Sequence, residues 1–232
     1  MTFRVEGGYL SLPRWGKKIR RGEIFVHPVG IYPAEQLKKM TAEEVNAVIE
    51  RDIHENAWER QRQKPVRYRG KRRAEGMERA LFACPGCRRI GTLRTAEDRV
   101  FCDCGFSRRY SETGFFASET PFASIAEWDR WQMQLLRDRS FLHEGNLLFS
   151  DRDMILTRIL SDHTEEQLAT GTLYQYEDRL VCEGQSFALA EISSMAIVQT
   201  HLLLLSCGGE YYQLRTKTAA NLRKYLEVWK EK

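Results

Sequence analysis

Cys84, Cys87, Cys102 and Cys104 lie within 21 residues, as Cys-Pro-Gly-Cys, fourteen residues, then Cys-Asp-Cys-Gly. No other feature constrains the fold as tightly. Four thiolates at that spacing close a tetrahedron around one zinc ion when two short turns meet at the end of a hairpin. Gly86 and Gly105 suit turns in which backbone amides crowd toward sulfur. The spacing predicts strands over Ile90–Leu93 and Arg99–Phe101, with Thr95–Asp98 turning between them. Two disulfides, or four free thiols, are the other readings of the same cysteines. A start without an apolar signal core favours the metal, because clustered cysteines in a reducing compartment bind ions rather than oxidise. Four sulfurs leave no open coordination position, so the zinc is expected to be structural. The second pair has only Asp103 between its cysteines and makes the tighter turn. Cys182 and Cys207 stand alone in strand-like segments and read as small buried apolar residues.

A chain of 232 residues has room for one large domain or about two to three small ones. Its 42% hydrophobic and 29% charged content is that of a soluble globular protein. The longest apolar run, Leu202 to Leu205, is far short of the ~20 residues that a membrane-spanning helix needs. Residues 1–110 carry 24 Lys+Arg against 14 Asp+Glu, whereas residues 111–232 carry 12 against 18, so an anionic partner should meet the first half.

Five stretches follow from pattern. Residues 1–62 hold strands at Phe3–Val5 and Ile24–Val26, a short helix opened by Pro33, and a longer helix from Thr41. Thr41 and Glu44 form a capping box for that longer helix. Val45, Val48, Ile49 and Ile53 keep helical spacing, and Trp58 continues the stripe. The strand, loop, strand, helix order predicts an α/β unit. With two short strands and one amphipathic helix it cannot enclose its own core, and it reads as the end of a larger domain. Residues 63–80 read as a basic linker, and the run Arg60 to Arg73 has no acidic residue. Residues 81–110 are the zinc-ribbon-like module. Residues 111–140 carry a connecting helix, Ile125 to Leu136, with Trp128, Trp131 and Leu135 on one side. In residues 141–232, short strand-like runs follow one another from Asn146 to Leu214, with turns at Ser150–Asp153, Glu177–Asp178, Glu183–Gly184 and Gly208–Gly209. A helix from Lys217 closes the chain. Seven or eight antiparallel strands capped by a C-terminal helix are the order of a pleckstrin-homology-like β-barrel, with a plain antiparallel sandwich as the alternative. The fold class expected is therefore multidomain α+β.

Phe3-Arg-Val-Glu-Gly-Gly-Tyr9, Pro13-Arg-Trp15, the basic run ending Arg20-Arg21-Gly22, and the stretch from Pro33 to Glu55-Asn-Ala-Trp58 resemble the C-terminal part of the lysophospholipid (1-acylglycerol-3-phosphate) acyltransferase family. The resemblance covers about the first 60 to 70 residues. It implies a role in phospholipid biosynthesis, a location peripheral to the inner face of the cell membrane, and contact with an anionic membrane surface or lysophospholipid. Arg14, Lys17, Lys18, Arg20 and Arg21 are the candidates for holding substrate phosphate or headgroups, with a solvated basic loop as the plain alternative. The family's chemistry implies a His-x4-Asp pair, in which histidine deprotonates the glycerol hydroxyl. None of His27, His54, His143, His163 and His201 is followed by aspartate at that spacing, and the family's Glu-Gly-Thr-Arg motif is missing. No catalytic residue is carried over. The chain is expected to be inert alone, and to need a missing N-terminal acyltransferase half.

A different class of function fits the same charge. A zinc ribbon with Arg88, Arg89, Arg94, Arg99, Arg108 and Arg109 can track nucleic-acid phosphates, and the C-terminal domain can serve as a protein-binding adaptor.

Overall fold

The computed structural model describes residues 1–117, 121–139 and 147–231. The chain begins with β1 (Thr2–Glu6), a single turn α1 (Gly8–Ser11) and β2 (Phe25–Gly30). β1 and β2 pair antiparallel, with Val5 opposite Val26 and Phe3 opposite Pro28. The expected α/β unit is thus an antiparallel ribbon, because residues 7–24 between the strands hold one helical turn and loop, without the helix that usually carries a parallel crossover. Next come α2 (Ala34–Leu37) and α3 (Ala42–Ile53). Both bonds of the Thr41–Glu44 capping box form. The helix stops at His54, and Asn56 caps a separate α4 (Ala57–Gln63), so Trp58 does not extend the α3 stripe.

The β1–β2 ribbon is inverted. Its polar side faces α3, where Thr2 Oγ1 donates to Asp52 Oδ2 at 2.6 Å and Arg4 Nε donates to the Asp52 carbonyl at 2.9 Å. Phe3, Val5 and Val26 are 51%, 50% and 63% exposed on the other side. Asp52 is the one buried residue of α3, while Ile49 and Ile53 of its apolar stripe are exposed.

The rest of the first segment behaves differently. Leu10 and Trp15 are buried, and so are Val66, Tyr68, Ala74 and Met77 of the stretch that reads as a linker. Basic composition hid these contributions to the interior. The linker's charges are matched by carboxylates from further along the chain. Arg67 pairs with Glu112 at 2.9 Å, and Arg73 with Asp98 at 3.1 Å.

Strands β3 (Leu93–Ala96), β4 (Arg99–Cys102) and β5 (Ser107–Arg109) form a three-stranded antiparallel sheet. The first strand starts at Leu93, where the spacing predicted Ile90–Leu93. Ile90 makes only a bridge to Ala83, and the hairpin turns tightly at Glu97, whose φ is 50°. Helix α5 (Ile125–Asp138), capped by Ser124, buries Trp128, Gln132, Leu135 and Leu136.

The C-terminal strands are β6 (Leu147–Ile159), β7 (Glu165–Tyr176), β8 (Arg179–Cys182), β9 (Gln185–Ala188), β10 (Ile192–Val198), β11 (Leu202–Cys207) and β12 (Glu210–Thr216), followed by α6 (Arg223–Lys230). They form one antiparallel sheet in the order β10-β11-β12-β6-β7-β8-β9. Ser150–Asp153, expected as a turn, lies inside β6. Asp153 at φ 58° and register shifts opposite β7 absorb the polar residues as bulges without ending the strand. Asn146, the expected start of this strand, is outside the described residues.

The sheet is open, where a closed barrel was expected. Among the described residues β9 and β10 are not hydrogen-bonded to each other. The bulged sheet curls far enough for Phe187 of β9 to meet Tyr212 of β12 at 4.8 Å between ring centroids. Helix α6 lies across the mouth. Its Trp229 indole donates to the Ile192 carbonyl of β10 at 3.1 Å, and its Tyr225 ring meets Phe149 of β6 at 5.0 Å.

Candidate metal centre

The four cysteine sulfurs all lie within 4.8 Å of one another. Cys84 and Cys104 are 3.6 Å apart, and Cys87 and Cys102 are 3.8 Å apart. Four sulfurs about 2.3 Å from a shared zinc would sit about 3.8 Å from each other at tetrahedral angles. Two of the separations thus match a shared ion, and the four sulfurs converge closely enough to hold one. No disulfide bond joins them, and all four cysteines are free.

Both turns are built by backbone hydrogen bonds. Cys84 N donates to Arg89 O at 3.0 Å and Arg88 N to Cys84 O at 2.8 Å, closing the first turn with Arg88 at φ 59°. Cys102 N donates to Phe106 O at 2.9 Å and Gly105 N to Cys102 O at 3.0 Å, closing the second with Gly105 at φ 91°. The single-residue gap at Asp103 is thus accommodated by a glycine in the left-handed region. Gly86 is needed for space as well. A Cβ there would stand 3.3 Å from Cys104 Sγ and 3.2 Å from Phe106 Cβ.

Helix α5 holds the first turn from behind. Trp128 Nε1 donates to Ala83 O at 2.9 Å, Gln132 Oε1 accepts from Phe82 N at 2.9 Å, and Gln132 Nε2 donates to Ala80 O at 2.9 Å. Cys84 and Cys102 are buried, Cys87 is half-buried and Cys104 is exposed. Burial pushes the Cys84 thiol up, against backbone amides of Cys87 and Gly86 that favour the thiolate. Cys87 is drawn down to about 6: burial opposes this, but hydrogen bonds from the Arg89 backbone and side chain outweigh it. A cation would reverse the cost at Cys84, since a coordinating thiol is deprotonated outright. The donor set, the spacing and the tight turns fit a metal ion that braces the fold.

The five basic candidates separate. Arg14, Lys17, Lys18 and Arg21 are exposed, beside Leu12 and Ile19 at 50% and 74% exposure. Arg20 is buried. Its Nη2 donates to Arg73 O at 2.6 Å, and its guanidinium lies 5.7 Å from the Trp15 ring and 5.6 Å from that of Tyr110. It is a packing residue, and its position in a basic run concealed that. Sequence reasoning also missed the buried pair Lys224–Asp151, with Nζ 2.7 Å from Oδ2, for which no local signal exists. No helix among the described residues is long and apolar enough to cross a membrane.

Mixed helix and sheet around a cysteine tetrad able to hold a metal ion is what the structure establishes. No protein-family model matches the chain, and no curated protein matches it.

Proposed function

We propose that this chain is the distal, non-catalytic portion of a lysophospholipid acyltransferase that works at an anionic membrane surface. The observation that carries the reading is the inverted β1–β2 ribbon, whose Phe3, Val5 and Val26 face outward beside a helix that keeps Ile49 and Ile53 exposed. An apolar sheet face in this position is one layer of a sandwich without its neighbour. In the resembled family the neighbour is the rest of the α/β domain, which carries His-x4-Asp and Glu-Gly-Thr-Arg. The tetrad is the seat of one structural zinc, supported by sulfur separations of 3.6 and 3.8 Å. The C-terminal domain is pleckstrin-homology-like. Its first strand stands at the centre of the order β10-β11-β12-β6-β7-β8-β9, and its last element is a capping helix.

Contact with the membrane falls to Arg14, Lys17, Lys18 and Arg21 around the exposed Ile19. Each basic residue near anionic lipid contributes about 1 kcal/mol, and an isoleucine at the tip can enter the headgroup boundary. The nucleic-acid reading is less well supported. Asp98 engages both Arg73 and Arg109, at 3.1 and 2.7 Å, and Glu112 engages Arg67, so much of the basic stretch is neutralised internally.

The test is reconstitution. The chain alone transfers no acyl group to lysophosphatidate; joined to an upstream segment bearing both motifs, it does. A joined protein that folds, binds zinc and remains inactive defeats the acyltransferase reading.

A further inference from the structure

We propose that a cleft between the cysteine module, β6 and the turn before α6 binds a free α-amino acid with an aliphatic side chain. The cleft has a volume of about 540 Å³, within the range of small-molecule sites. Leu81 and Phe82, just ahead of the first cysteine turn, and Leu93 of β3 line its inner wall, and all three are buried. They give a short alkyl group an apolar neighbour. Lys224 of α6 and Asp151 of β6 also line the cleft, with Nζ 2.7 Å from Oδ2. Tyr225 Oη donates to the same carboxylate oxygen at 2.7 Å. Asn221 lines the cleft too and is 2% exposed. Its Oδ1 accepts from Lys224 N at 3.3 Å, and its amide nitrogen, a donor of two hydrogen bonds, has no partner among the described residues.

Four more charged side chains line the same cleft: Arg94 and Arg152, Glu78 and Asp153. Lys224–Asp151 is the ion pair of this cleft, and none of the other four has an opposite charge within ion-pair distance among the described residues. Arg94 Nη1 donates to the carbonyls of Gly91 and Leu93 at 3.0 and 2.8 Å, and Glu78 Oε2 accepts from Thr95 Oγ1 at 2.7 Å. Those contacts hold the two groups in place and leave their charges uncompensated. Since Lys224 and Asp151 neutralise each other, the cleft carries no net charge but offers both signs. A lone anion would meet Glu78 and Asp153, and a lone cation would meet the two arginines. A carboxylate and an ammonium on one carbon satisfy both sets, each through charge-assisted hydrogen bonds. The inference stands apart from the acyltransferase reading, because it uses neither a catalytic residue nor the basic run from Arg14 to Arg21.

The experiment is calorimetric titration of the full chain with L-leucine and with two analogues that each lack one charge. Isocaproate keeps the carboxylate and isopentylamine keeps the ammonium. Saturable one-to-one binding of leucine is expected, with each analogue about tenfold weaker or more, as the loss of one charge-assisted contact implies. Arg94→Gln with Arg152→Gln should weaken leucine and isocaproate by about tenfold and leave isopentylamine unchanged. Glu78→Gln with Asp153→Asn should do the converse, weakening leucine and isopentylamine alone; asparagine tolerates the φ of 58° at position 153. Ala219→Trp, at a half-buried position on the wall, should abolish binding by filling the cleft. The two charge-removing pairs serve if Ala219→Trp does not fold, and the unfolding temperature identifies folded variants. Isocaproate binding as tightly as leucine would make this a plain anion site, and isopentylamine doing so a plain cation site; either overturns the proposal. So does a failure of leucine to saturate at millimolar concentration, or undiminished leucine binding by the folded variants. None of these outcomes touches acyl transfer, which is read separately.

Discussion

Trp15 stands at the junction of two contact systems. Its indole N–H donates to the Arg73 carbonyl at 3.1 Å, and its ring links Tyr9 at 6.1 Å to Tyr110 at 5.9 Å. The series continues from Tyr9 to Trp58 at 5.4 Å in one direction, and from Tyr110 through Phe116 to Trp128 at 5.6 and 5.4 Å in the other. Such aromatic pairs add about 0.5–1.5 kcal/mol each beyond burial. Trp15→Ala should therefore cost about 3–5 kcal/mol, read as a lowered denaturation midpoint. Phe3→Ser is expected to stay within about 0.5 kcal/mol, because Phe3 already lies half in water; a large loss would show that the ribbon face is covered. Asp52 supplies a pH test. Hydrogen bonds from Thr2 and then Tyr32 hold its carboxylate at about 2, against the burial that would raise it. The folded value is below the unfolded one of about 3.9, so this stabilisation is complete above pH ~4 and is lost as pH falls toward 2. Resonances of Thr2 and Tyr32 should titrate in that window, and Asp52→Asn should remove the transition.

At the level of elements, the cysteine module and α5 form one unit through Trp128 and Gln132, which bind the backbone between Ala80 and Ala83. Stripping the metal with a chelator is expected to expose amides of residues 81–110 and of α5 together, seen by hydrogen exchange. Mass spectrometry under native conditions should find one zinc before treatment and none after. A fully folded, metal-free chain would refute the site. Cys84→Ser should reproduce the loss.

The tetrad was legible because its ligands are close in sequence and thiol chemistry dictates their spacing. The aromatic series was not, since its members come from residues 9 to 128 and share no period. Arg20 and the linker arginines misled for a related reason. A basic run looks solvated until one knows that Asp98, Glu112 and an aromatic pair return to meet it. The strands of residues 147–216 could be counted approximately, but β6 showed as two, because a bulge and a turn draw on the same polar residues. Closure could not be read at all, since whether β9 and β10 pair leaves no local mark in the sequence.

For the molecule as a whole, the exposed Lys17, Lys18 and Ile19 make a separate prediction. The chain should sediment with vesicles containing phosphatidylglycerol and stay in solution with pure phosphatidylcholine. Replacing Lys17 and Lys18 by glutamate should abolish the difference, with no change in unfolding temperature. Arg20→Glu, by contrast, should unfold the protein, because it leaves a buried charge without a partner. Equal sedimentation with both vesicles would remove the membrane assignment.

Phe82 and Ala83 belong to the interior of the large sheet, while Leu81 and Cys84 belong to that of the ribbon. Four consecutive residues thus serve two hydrophobic cores, and no clean seam exists for a protease or a cloning boundary to follow. Dissection at residue 110 or 140 would strand Phe82 in water and open the larger core at the same stroke. Fragments cut there are expected to aggregate, and the pieces will have to be studied as one body.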